Sequence, residues 1–251
     1  MHKLGQVFLK DPNIIQNIIQ NIDDKDLPIL EIGCGKGILT KELIKLTKQL
    51  TVVELDDKWL SYTQQIVPNA TFIHQDILKL DPTTLPYPMK IIANIPYYLS
   101  AKFIKWIIQY NHVFSQNIIM VQKEFSEKLT AKENHEFYTP LSIYSQFYLV
   151  IEPLFKVSKH CFSPTPKVDS AVIRITPRKK PLFDVDETLF FKIVRSTFWG
   201  KRKPIQSALK KSPYLEKPIL SVPDQFGKLR GENLSIAEFY ELYCAITHTR
   251  T

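Results

Sequence analysis

Ile29-Leu30-Glu31-Ile32-Gly33-Cys34-Gly35-Lys36-Gly37-Ile38-Leu39-Thr40 decides the reading of this chain. A short apolar run predicts a buried strand, three glycines within five residues predict a tight turn, and Leu39 to Leu46 carries a helical pattern. The chain has seven glycines in all, so three in one turn is a marked concentration. At a strand-to-helix turn, glycine lets the backbone approach a ligand and present amide N–H groups at a positive helix end.

The same alternation continues on the C-terminal side. Leu50 to Glu54, Ala70 to His74, Lys90 to Asn94 and Asn117 to Val121 read as strands, with helices over Trp59 to Ile66 and Ala101 to Tyr110. Short apolar strands alternating with helices imply a parallel sheet covered on both faces, so the expected class is α/β, doubly wound and Rossmann-like. After a helical stretch from Lys123 to Gln146, the runs Tyr148 to Val157 and Ala171 to Thr176 are expected to form a terminal antiparallel pair. Between them lies Phe162-Ser163-Pro164-Thr165-Pro166, a loop stiffened by its prolines. From Arg178 onward no strand pattern remains, and helices are expected at Thr188 to Phe198, Ile205 to Lys211, Asp224 to Lys228 and Ser235 to Ile246. The expected domains are 1–180 and a small helical unit, 181–251.

The glycine spacing discriminates between nucleotides. A dinucleotide fingerprint G-x-G-x-x-G would need glycine at position 38, where this chain has Ile38, and the observed pattern is G-x-G-x-G with an acid two places earlier. That favours S-adenosylmethionine over NAD. Glu54, ending the second of these strands, can accept both ribose hydroxyls of either cofactor. Asp76, after the third, is placed to bind the exocyclic amine of an adenine. The fourth strand ends in Ala93-Asn94-Ile95-Pro96-Tyr97-Tyr98. An adenine amine is a poor nucleophile because its lone pair is delocalised, so methylation calls for acceptors that hold the amine as it pyramidalises. The Asn94 side-chain oxygen and the Ile95 carbonyl supply two, Pro96 stiffens the turn, and Tyr97 offers a ring to a base taken out of its stack.

The chain resembles the ribosomal RNA small-subunit adenine dimethyltransferases of the KsgA type over essentially its whole length. The matching residues are 4–9, Glu31 to Gly37, Val53-Glu54-Leu55-Asp56, Gln75-Asp76, Asn94 to Tyr97, Gln122-Lys123-Glu124, Phe162 to Ala171 and Phe198 to Leu209. The resemblance implies a seven-stranded methyltransferase sheet and two successive dimethylations of adjacent adenosines near the 3′ end of small-subunit rRNA during ribosome assembly. It implies cofactor contacts from Val7, Leu9, Gly33, Gly35, Glu54, Asp76 and Asn94, with Tyr97 and Phe162 holding the target base. Val7 stands where the family usually has Asn or His. Pro204 follows Lys203 where a Thr is usual, and suits the first turn of a helix. Rival readings are an Erm-type large-subunit rRNA methyltransferase, a non-catalytic RNA-binding assembly or transcription factor, and a nicotinamide oxidoreductase. The long match from Phe162 to Ala171 favours the small-subunit enzyme, and the intact glycine loop and Asn94 to Tyr97 turn argue for retained catalysis.

Composition agrees with these expectations. The 251 residues are 44% hydrophobic and 23% charged, as in a globular protein with a full core. No apolar run approaches the length that spans a bilayer, and the N-terminus has no secretory pattern, so a cytoplasmic protein is expected. Cys34, Cys161 and Cys244 have no zinc-site spacing and are expected to be reduced thiols, with no metal. Eleven Lys or Arg against four Asp or Glu fall between Arg178 and Lys217, which places +7 of the net +8 in one segment. Such a segment suits a polyanion, and Lys201, Arg202 and Lys203 are the expected RNA contacts. The expected partner is rRNA in a small-subunit precursor, bound by a monomer with no obligate protein partner.

Overall fold

The computed structural model describes residues 7–24, 26–200 and 202–248. The chain divides into two compact units, the first comprising residues 1–126 and 149–179, the second 127–148 and 180–251. Residues 127–148 therefore join the C-terminal unit, which corrects the assignment of that stretch to the first domain. The physical reason lies in its side chains: Ile143 and Phe147 are fully buried, and Phe147 stacks on Phe190 of the C-terminal helices at 5.3 Å.

The first unit is built on a seven-stranded sheet. Its strands are β2 (Ile29–Ile32), β3 (Leu50–Glu54), β4 (Thr71–His74), β5 (Met89–Asn94), β6 (Phe114–Gln122), β7 (Leu149–Val157) and β9 (Ser170–Pro177), in the order β4-β3-β2-β5-β6-β9-β7. All neighbours are parallel except β9, which runs antiparallel to both β6 and β7. The central strands read as continuous apolar runs because helices cover both faces: Leu30, Val52 and Ile91 are fully buried. Buried polar side chains interrupt these runs at Glu31 of β2, a carboxylic acid 1% exposed, Lys90 of β5 and Asn117 of β6.

Helices α2 (Ile38–Leu43), α3 (Asp57–Ile66) and α4 (Ser100–Gln109) make the crossovers. In α4, Phe103, Ile104 and Ile107 form the buried stripe. Two further elements lay outside the sequence expectations. Helix α1 (Pro12–Gln20) starts where Asp11 caps Asn13 N at 2.9 Å and Pro12 takes the first turn, and it buries Ile15, Ile18 and Ile19. Strand β1 (Phe8–Leu9) pairs antiparallel with β8 (Phe162–Ser163). The expected helical stretch from Lys123 to Gln146 is two helices, α5 (Lys123–Thr130) and α6 (Pro140–Tyr148).

The second unit is helical. Its remaining helices are α7 (Glu187–Thr197), α8 (Ile205–Lys211), α9 (Asp224–Gly227) and α10 (Ile236–His248). Pro204 caps α8 rather than occupying its first turn. Ser235 and Glu238 form a reciprocal capping pair before α10, with Ser235 N donating to Glu238 Oε2 at 2.8 Å and Glu238 N to Ser235 Oγ at 3.3 Å. Phe190, Ile193, Leu209, Phe239 and Leu242 are fully buried within this unit. Among the described residues no helix is long and apolar enough to cross a membrane.

Candidate active site

The end of β2 lies between Val53 of β3 and Ala93 of β5. Chain crossovers leave in opposite directions from this point, so the loops after β2, β3 and β5 open a crevice at the carboxyl edge of the sheet. The resulting cleft, about 1350 Å³ with its open part included, is lined by Val7, Leu9, Glu31, Gly33, Gly35, Glu54, Asp76 and Asn94 to Tyr97, among others. Every expected cofactor contact therefore borders one cleft, together with four of the five expected catalytic residues.

The glycine loop does something different from what its sequence suggests. Gly33, Gly35 and Gly37 all have positive φ, at 77°, 49° and 69°, a backbone that other residues adopt only with strain. Yet their amides are turned inward: Gly33 N donates to Val53 O at 2.9 Å, Gly37 N to Cys34 O at 2.8 Å and Gly35 N to Glu54 Oε2 at 3.3 Å. The glycines permit close approach, and their N–H groups hold the loop to itself. A Cβ on Gly33 would lie 3.5 Å from Asn94 O, and one on Gly35 would meet Phe8 Cδ1 at 2.9 Å. Phe8 thus lies directly on the loop, packed against Trp59 with ring centroids 4.8 Å apart.

Glu54 is held in place by the backbone. Its Oε1 accepts from Leu55 N and Asp56 N, both at 2.9 Å, and its Oε2 has only longer contacts, with Gly35 N at 3.3 Å and Cys34 Sγ at 3.7 Å, which leaves Oε2 the more available oxygen for a ligand donor. Asp76 Oδ1 accepts from Leu78 N at 3.0 Å, and the carboxylate keeps capacity for a further donor. Glu31 escaped the residue-by-residue sequence reading, although it was the acid of the motif. Its carboxyl borders the cleft, Oε2 has no hydrogen-bond partner, and burial pushes its pKa up to about 8, with the Glu54 charge adding to the shift. An acidic residue inside an apolar parallel strand was the available signal.

On the other side of the cleft, β5 ends at Asn94 and a short turn carries Ile95 to Leu99, closed by Leu99 N donating to Pro96 O at 2.9 Å. Neither the Asn94 side chain nor the Ile95 carbonyl has a hydrogen-bond partner among the described residues. Tyr97 is half-buried and its hydroxyl lies 2.7 Å from Ser170 Oγ. Burial holds the Tyr97 phenol above its ordinary pKa. Phe162 is not part of this surface: it is 1% exposed, packed in the core with Ile15, Ile18 and Val172, and its strand pairs with Leu9. From this position it anchors β1 through the pairing of Leu9 with Phe162.

In the second unit, Arg202 is exposed, and Lys203 lies with Nζ 3.9 Å from the centroid of the Trp199 ring. Lys201 lies outside the described residues. Arg195 lies over Tyr214 at 4.2 Å, and Lys192 pairs with Glu216 at 2.7 Å.

The family model for ribosomal RNA adenine dimethylase matches residues 1–239. A Clostridium botulinum protein named ribosomal RNA small subunit methyltransferase A is 37% identical over 250 residues, covering 95% of this chain and 91% of its own. A Streptococcus thermophilus protein of the same name is 32% identical over 261 residues, covering 96% and 90%. Among solved structures, a dimethyladenosine transferase from Plasmodium falciparum superposes with a TM-score of 0.82 at 25% identity, covering 97% of this chain and 98% of its own. The 23S rRNA methyltransferase ErmE shares the fold, with a TM-score of 0.68 at 24% identity over 94% of this chain and 99% of its own. With the cleft at the switch point, the glycine loop and the Asn94 to Tyr97 turn all in one unit, the chain belongs to the ribosomal RNA adenine dimethylase family.

Proposed function

We propose that this protein is an S-adenosylmethionine-dependent methyltransferase that dimethylates the exocyclic amines of two adjacent adenosines near the 3′ end of small-subunit rRNA, in the cytoplasm, during ribosome assembly. The observation that carries the reading is the pair of acceptors without partners among the described residues, the Asn94 amide oxygen and the Ile95 carbonyl, at the lip of the cleft beside the Tyr97 ring.

The residues fit the cofactor. Inward-turned glycine amides suit a nucleoside without phosphates better than a dinucleotide, whose pyrophosphate needs those donors. Glu54 would accept the ribose hydroxyls and Asp76 the adenine amine. The unpartnered Oε2 of Glu31 would receive the amino group of the methionine portion, and Val7 and Leu9 would close the cleft along β1. S-adenosylmethionine supplies an electrophilic methyl group on sulfur, whose leaving group is a neutral thioether.

The chemistry asked of the protein is then modest. Asn94 and Ile95 accept the two N–H bonds of the target amine and favour its pyramidal form, where the lone pair is free to attack. Pro96 fixes the carbonyl of Ile95 in the turn. Tyr97 stacks on the base once it has left its helix, and no strong general base is required because the proton is acidic after methyl transfer. Basic residues 201–203 of the second unit would contact rRNA phosphates.

The test is to map methylated adenosines on both rRNAs from cells lacking the protein, then to incubate the purified protein with unmethylated small and large subunits and labelled cofactor. Dimethyladenosine should appear at two adjacent positions near the 3′ end of the small-subunit rRNA. Label confined to the large subunit would overturn the reading.

A further inference from the structure

Two tyrosines follow Pro96, and the structure treats them differently. Tyr98 is 64% exposed and its hydroxyl has no partner among the described residues, whereas the Tyr97 hydroxyl meets Ser170 Oγ at 2.7 Å. Ser170 is fully buried, and Tyr97 is the partner of its hydroxyl among the described residues. Its backbone is fixed on both sides: as the first residue of β9 it pairs with Gln122 of β6 and Val157 of β7. The preceding residue is pinned as well, since Asp169 O accepts from Lys123 N at 3.0 Å and Asp169 Oδ1 from Lys159 N at 2.9 Å. Ser170 is thus held on both sides by neighbouring strands.

A tyrosine ring turns about two side-chain bonds, and a stacking surface works only at one angle. We propose that Ser170 is a positioning residue for methyl transfer, holding the Tyr97 ring through its hydroxyl at the angle on which the target adenine stacks. This rests on the base-stacking role given to Tyr97 above and deepens it. The hydrogen bond explains why a tyrosine serves here, when phenylalanine offers the same stacking face. Ser170 does not line the cleft, so its effect should fall on the chemical step rather than on cofactor binding.

The experiment uses the full chain and unmethylated small subunits, with Ser170→Ala, Tyr97→Phe and the double variant. A net hydrogen bond predicts a fall in kcat of about 3- to 10-fold in each single variant, with KM for the cofactor within about twofold. The double variant should be no slower than either single, because both remove one bond. A short RNA with 2-aminopurine at the target position gives a second readout: quenching by the ring should weaken alike in all three variants. If Ser170→Ala fails to fold, Tyr97→Phe leaves no cavity and carries the kinetic test alone. Losses that multiply in the double variant, or unchanged kcat in Tyr97→Phe, overturn the positioning role. Absence of small-subunit methylation by the parent protein would instead overturn the proposed function, which keeps the two failures apart.

Discussion

Glu31 should make the proposed cofactor site sensitive to pH in a way that can be measured without turnover. Its carboxyl is 1% exposed, and burial raises its pKa from 4.5 to about 8; the Thr40 hydroxyl opposes the shift without reaching hydrogen-bond geometry. The folded protein therefore holds a proton that the unfolded chain gives up above pH 4.5. Stability from this group is complete below pH 4.5 and is lost as pH rises toward 8, by a total on the order of 4 to 5 kcal/mol. Glu31→Gln should remove that slope, so the ligand-free variant should melt higher than the parent at pH 8, by roughly 10 °C. Binding should show the other side of the linkage. At pH 7 the parent carboxyl is about nine-tenths protonated, and a ligand ammonium favours the carboxylate, so S-adenosylmethionine should release close to one proton. Titration calorimetry in buffers of low and high ionisation enthalpy measures that proton. 5′-Methylthioadenosine, which lacks the amino acid portion, should bind with none released, and Glu31→Gln should abolish the release and weaken S-adenosylmethionine alone. Equal proton release by both ligands, or parallel melting curves for parent and variant from pH 5 to 8, would refute the assignment.

Gly33→Val should abolish cofactor binding, because its φ of 77° is strained for a branched residue and its side chain would stand beside Asn94 O; calorimetry on folded variant checks this. Tyr97→Ala should slow methylation at least tenfold while cofactor affinity stays within a few-fold, as read by parallel binding and rate measurements. Phe162→Ala should lower stability by about 3 to 5 kcal/mol through the cavity it leaves, visible in denaturant unfolding, whereas a purely base-contacting residue would leave stability unchanged. Neutralising Lys201, Arg202 and Lys203 together should reduce rRNA affinity and flatten its log–log salt dependence by roughly two units, with cofactor binding unaffected.

Much of the fold was legible because burial on both faces leaves a plain record: Ile29–Ile32 and Leu50–Glu54 could be bounded from their apolar runs alone. Where local pattern and tertiary packing part company, the sequence was silent. Strand β1 has only two residues, too few for any periodicity, and exists because β8 pairs with it. Residues 127–148 carry a helical pattern that says nothing about which core it joins, and Phe147 finds its partner in Phe190 only in three dimensions. At the candidate site, residue types and spacing singled out Glu54, Asp76 and Asn94, and the three line one cleft. They could not tell that the glycine amides face inward, since amide direction depends on φ and on the position of Glu54.

Phe162 and Ser170 show why one stretch can serve two ends of a cleft. Phe162 is buried in the core and its strand holds β1, so Phe8 comes to rest on Gly35 at the proposed cofactor side. Ser170, eight residues on, meets Tyr97 at the proposed base side. Pro164 and Pro166 fix two φ angles between them, which reduces the freedom of either end to move alone. A change that loosens this segment should therefore disturb cofactor closure and base stacking together. Single changes at Phe8 or Tyr97 should disturb one and spare the other. The stiffness of the connecting loop, rather than any atom it presents to a ligand, is what the proline spacing contributes to the site.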